Sequence, residues 1–66
     1  MTLTVNGETV TVPDGTSVGE LVAARTDVTR RVAVAVNGDV VTRSAWATTT
    51  LDEGDAVEVL AAVAGG

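Results

Sequence analysis

The group in this sequence best placed to do chemistry belongs to the main chain. The run Val63-Ala64-Gly65-Gly66 closes the sequence. An α-carboxylate on Gly66 would have a pKa near ~3.5 and be ionised at neutral pH. Gly65 and Gly66 carry no Cβ and follow the small Ala64. They can therefore thread a narrow channel and take any backbone conformation an active site imposes. Such a carboxylate can attack the α-phosphate of ATP, and sulfide can attack it only after that activation. A Gly-Gly pair equally describes a frayed chain end, so by itself it decides nothing.

The side chains offer little else. The sequence has no His, Cys, Lys or Tyr. That removes general acid–base chemistry near neutral pH, thiol nucleophiles, Schiff bases, imidazole metal ligands and disulfides. Carboxylates, hydroxyls without an evident base and four arginines remain, so no catalytic residue, metal site or bound cofactor is expected, nor a self-sufficient enzyme. Asp52, Glu53 and Asp55 lack the longer ladder of a calcium loop and read as a tight turn around Gly54. Arg30-Arg31 is too short for a nucleic-acid patch. Nine acidic residues against four arginines also disfavour nucleic acid and anionic membranes. The acidity suits a basic partner surface, or simply keeps a small domain soluble. No apolar run approaches the roughly 18 residues of a membrane span, and the start lacks a basic leader or apolar signal core. A cytoplasmic protein is expected.

The elements that would present Gly66 are legible in the patterning. Sixty-six residues make one domain with a thin core, and 14 valines and 11 threonines lean the chain towards sheet. Leu3, Val5, Val10 and Val12 alternate with threonines around Asn6-Gly7, which predicts a type I′ hairpin with strands at about 2–6 and 8–12. Pro13-Asp14-Gly15 breaks the second strand. Ser17-Val18-Gly19-Glu20 fits a capping box, and Val18, Leu21, Val22 and the stem of Arg25 follow at helical spacing, predicting a helix over about 18–25 that leaves through Thr26-Asp27. Val32 to Val36 is a strand turned by Asn37-Gly38-Asp39 into Val40-Val41. Arg43 to Trp46 reads as an irregular or 3₁₀ turn, and Ala56 to Ala62 as the last strand. The tail from about 63 to 66 is expected to be flexible.

This order predicts an α+β domain, a mixed sheet of about five strands with one helix on one face. The expected core is Leu3, Val5, Val10, Val12, Val18, Leu21, Val22, Val32, Val34, Val36, Val57 and Val59. Leu60, Ala33, Ala35 and Val41 are placed on the opposite face, as an exposed apolar patch of the kind that marks protein interfaces. Trp46 is read as a cover over a satellite core beneath its loop, and Arg43 as a partner for nearby carbonyls or carboxylates.

Taken together, the chain resembles the ThiS-type sulfur carriers of thiamine biosynthesis, in the ubiquitin-like β-grasp superfamily. The resemblance spans essentially the whole sequence. It rests on the opening N-G hairpin, S-V-G-E-L-V at Ser17–Val22, V-A-V-A-V-N-G at Val32–Gly38, V-x-R-x-x-W at Val41–Trp46, the D-E-G-D turn and the terminal V-A-G-G. It implies that an activating enzyme adenylates Gly66 using ATP and magnesium, that a sulfur donor protein turns the adenylate into a thiocarboxylate, and that thiazole synthase receives the sulfur. Every catalytic group would then sit on a partner. The small subunit of molybdopterin synthase, a ubiquitin-like protein modifier and a plain β-grasp interaction domain share the fold and stand as alternatives.

Overall fold

The computed structural model describes residues 1–25 and 32–61. Among these residues two hairpins flank one α-helix, and a last strand closes the sheet between them. In chain order the elements are β1 (Thr2–Val5), β2 (Glu8–Thr11), α1 (Val18–Arg25), β3 (Val32–Val36), β4 (Asp39–Val41), a 3₁₀ turn at Arg43–Ala45, and β5 (Ala56–Ala61). The five strands form one mixed sheet in the order β2-β1-β5-β3-β4. β5 runs parallel to β1 and antiparallel to β3. This is the β-grasp arrangement the sequence predicts. The predicted exit of the helix through Thr26-Asp27, the continuation of β5 to Ala62 and the flexible tail lie outside the described residues.

Both hairpins turn on Asn-Gly. Asn6 and Gly7 have φ of 53° and 82°, and Asn37 and Gly38 have 51° and 87°. Two successive positive φ values are what a two-residue type I′ turn requires, and its twist matches that of the strands. A two-residue turn also fixes register. Val36 pairs with Asp39, Ala35 with Val40 and Val34 with Val41.

The helix starts as the capping box predicts. The Glu20 amide donates to Ser17 Oγ at 3.1 Å, and the Ser17 amide donates to Glu20 Oε1 at 2.9 Å. The two amides before Glu20 are met by the loop beyond β4: Val18 donates to the Thr49 carbonyl at 2.9 Å and Gly19 to that of Trp46 at 3.1 Å. The amides left without an intrahelical partner at this end are thus occupied, which ties α1 to the loop and leaves no vacant donors there for an anion.

Leu3, Val5, Val18, Leu21, Val22, Val34, Trp46, Leu51 and Val57 form the buried cluster. Trp46 corrects the sequence reading. It is 7% exposed and belongs to this main cluster, with its Nε1 donating to the Val41 carbonyl at 3.0 Å. Leu51, absent from the expected core, is also buried. Val10, Val12, Val32, Val36 and Val59 pack against the cluster but are only partly buried. Geometry explains this: eight helical residues span about 12 Å, whereas the six of β5 span about 20 Å, so one short helix leaves the sheet's margins half covered.

Candidate functional site

The strand that leads to Gly66 is the central one. β5 lies between β1 and β3, and its last residue, Ala61, precedes the end of the sequence by five residues. On the β3 side, pairing continues to Val32↔Ala61. On the other side, β1 pairs as far as Val5↔Val57. Asn6 then carries the contact further. Its amide donates to the Val57 carbonyl at 2.8 Å, its Oδ1 accepts from the Val59 amide at 2.8 Å, and its Nδ2 donates to the Val59 carbonyl at 3.1 Å.

The opposite end of β5 is held in a related way. The Asn37 amide donates to the Ala56 carbonyl at 2.8 Å, and Asn37 Oδ1 accepts from the Ala56 amide at 3.0 Å. Asn37 Nδ2 donates to Asp55 Oδ1 at 2.9 Å. The other Asp55 oxygen accepts from the Asp52 amide at 2.8 Å, and Glu53 Oε1 accepts from the Thr2 amide at 2.9 Å. The acidic cluster is therefore engaged in shaping a turn. Among the described residues, no group of three His, Cys, Asp or Glu is arranged to hold a metal ion.

Of the residues predicted to carry function, Ala64, Gly65 and Gly66 lie outside the described residues. The proposed apolar face lies within them and needs one correction. Ala33 stands opposite Leu60, and Ala35 opposite both Glu58 and Val40, so these five share the face turned away from the helix. Val41 does not join them. It pairs with Val34 and packs against the core, because neighbours along a strand point to opposite faces. Val40 takes its place. Val40 and Leu60 are the large apolar side chains left exposed among the described residues, at 77% and 65%. Counting outward from the two-residue Asn37-Gly38 turn would have found Val40 in the sequence alone.

Two further side chains are placed differently from expectation. Arg43 stacks its guanidinium 4.9 Å from the centroid of the Trp46 ring, rather than bonding a carbonyl or carboxylate among the described residues. Asn6, read from sequence as a turn former only, also bonds β5. Arg25 pairs with Glu8 at 2.9 Å near the same end of the sheet. No helix among the described residues is long and apolar enough to cross a membrane.

The comparisons with known proteins agree with this architecture. The model of the ThiS family matches residues 2–66. Comparison with curated proteins gives no match. Among solved structures, the crystal structure of thiamine biosynthesis protein ThiS from Geobacter metallireducens is 42% identical with a TM-score of 0.86, over 100% of both chains. The solution structure of a thiamine biosynthesis protein from the same organism is 42% identical with a TM-score of 0.81, over 100% of this chain and 88% of that one.

Proposed function

Because this chain belongs to the ThiS family, we propose that it is a sulfur carrier of thiamine biosynthesis whose working group is the α-carboxylate of Gly66. The observation that carries this reading is that the family match runs through the final Gly-Gly, on a chain whose central strand ends at Ala61, five residues before Gly66. The five residues after Ala61 reach at most about 17 Å when extended. That is enough to insert a carboxylate into a partner's active site while the domain stays on its surface. Gly65 and Ala64 keep the inserted segment narrow.

The chemistry follows from the carboxylate. One of its oxygens attacks the α-phosphate of ATP in a partner activating enzyme that supplies magnesium, and pyrophosphate leaves. The acyl carbon, now carrying AMP as leaving group, is attacked by sulfide-level sulfur (HS⁻) delivered through a donor protein; the C–S bond forms as the C–O bond to AMP breaks, which gives a thiocarboxylate. Thiazole synthase then takes the sulfur from Gly66. This chain contributes no catalytic side chain and holds no cofactor of its own in this scheme; it is the co-substrate of cytoplasmic partners. The sheet face bearing Leu60, Val40, Ala33 and Ala35 around Glu58 is the docking surface, since it carries the two large exposed apolar side chains and includes β5, the strand that leads to the tail. Neither nucleic acid nor membrane has a part.

The test is pyrophosphate release by the activating enzyme with ATP, magnesium and this carrier. Release should depend on the carrier and should be lost when Gly66 is deleted, while far-UV circular dichroism stays unchanged. Equal release from the shortened chain would refute the assignment of Gly66.

A further inference from the structure

From the bonds at the end of β5, we infer that Asn6 is a positioning residue that sets the direction in which the tail leaves the sheet. The consequence for chemistry rests on the sulfur-carrier reading above; the pinning itself does not.

β5 is supported unequally along its length. Through Val57 it is paired on both sides, by β1 and by β3. Past that point β1 has ended. On that flank, among the described residues, the hold on β5 is the Asn6 side chain, which bonds both the amide and the carbonyl of Val59. A carboxamide presents one acceptor and one donor side by side, as a peptide group does, so it stands in for one more rung of the ladder. Leu60 and Ala61 follow immediately, and among the described residues β3 is the strand paired with them.

The turn favours asparagine at position 6 but does not require it. A φ of 53° at position 6 also suits glycine. Asn37 provides an internal comparison: it occupies the same place in the other hairpin, and its side chain grips the start of β5 at Ala56. The two asparagines thus hold opposite ends of one strand, and only Asn6 holds the end that leads to Gly66. A swing of about 10° over the two residues from Val59 to Ala61, about 7 Å of strand, would move the root of the tail by about 1 Å, whatever conformation the tail itself takes. Displacements of that order matter for a reacting atom.

Three variants test this: Asn6→Gly, which keeps the turn and removes the bonds; Asn6→Asp, which keeps the acceptor but sets a carboxylate oxygen against the Val59 carbonyl; and Asn37→Gly as the control. Two readouts are needed, amide ¹⁵N order parameters at Leu60 and Ala61, and carrier-dependent pyrophosphate release at saturating carrier. Both Asn6 variants should lower the order parameters of Leu60 and Ala61 and reduce kcat by about 3- to 10-fold, the range a single lost hydrogen-bond pair commands, with KM for the carrier unchanged. Asn37→Gly should lose comparable thermal stability yet leave both readouts near wild type. Unchanged order at Leu60 and Ala61 in Asn6→Gly overturns the inference, and so does an equal fall in kcat in Asn37→Gly. A wild-type carrier that elicits no pyrophosphate release would refute the proposed function instead, while the order parameters still decide whether Asn6 holds the strand.

Discussion

Replacing Trp46 tests the largest difference between the sequence and the structure. A buried tryptophan removes about 150–250 Å² from water, which at ~25 cal/mol per Å² is worth roughly 4–6 kcal/mol. At 7% exposure, nearly all of that applies here. Trp46→Ala should therefore cost about 3–5 kcal/mol, against a total stability of roughly 3–10 kcal/mol for a domain this size. The variant is expected to be marginally folded at best. Trp46→Phe keeps most of the packing and loses the bond from Nε1 to Val41, so it should cost about 1 kcal/mol and lower Tm by about 4–8 °C. Urea titration followed by far-UV circular dichroism measures both, since fluorescence is lost with the only aromatic residue. A cost below about 1 kcal/mol for Trp46→Ala would show that the indole merely covers the loop, and would refute its place in the core.

Other expectations follow from the same contacts. Ser17→Ala and Glu20→Ala should each lower stability by about 1 kcal/mol in thermal melts, with Ser17→Gly milder than Ser17→Ala; no loss in either would mean the capping box contributes nothing. Val41→Asp buries a carboxylate against the core and should cost at least about 2 kcal/mol, whereas Val40→Asp on the opposite face should stay within about 0.5 kcal/mol. The reverse order would mean the β3–β4 register is shifted by one residue. Leu60→Asp should leave the melt unchanged and weaken calorimetrically measured binding to the activating enzyme or thiazole synthase by about tenfold or more. Binding at wild-type strength would remove Leu60 from the docking surface.

Much of this was readable in the sequence because local chemistry and global fold agree. Asn-Gly at 6–7 and 37–38 dictated both hairpins, and Ser17 with Glu20 dictated where the helix begins. The alternation of Leu3 and Val5, or of Val34 and Val36, showed which face of each strand is buried. What was missed depends on contacts between residues far apart in the chain. Trp46 joins the core because its loop folds back on the start of α1, through bonds at Val18 and Gly19 that no periodicity announces. Leu51 is buried for a related reason, held by the bond from its amide to the Thr16 carbonyl at 2.9 Å. Val41 faces the core because the two-residue turn sets the β4 register and pairs it with Val34, which composition alone does not reveal. The role of Asn6 toward Val59 spans 53 residues of sequence and becomes visible only once β5 lies beside β1.

The central claim is that the carboxylate of Gly66 is the group that carries sulfur, and intact-mass spectrometry tests it most directly. The full chain, the chain lacking Gly66, a chain with one residue added after it, and Gly65→Val would each be incubated with the activating enzyme, ATP, magnesium and a sulfur source. The full chain should gain the mass by which sulfur exceeds oxygen, localised to its C-terminal fragment. The shortened and extended chains should not, because moving the reacting atom by one residue, about 3.5 Å, forfeits its alignment with the α-phosphate. Gly65→Val should be nearly as inert, since a β-branched side chain stiffens and widens the segment that must thread the channel. Conversion of the shortened or extended chain to a thiocarboxylate would contradict the account.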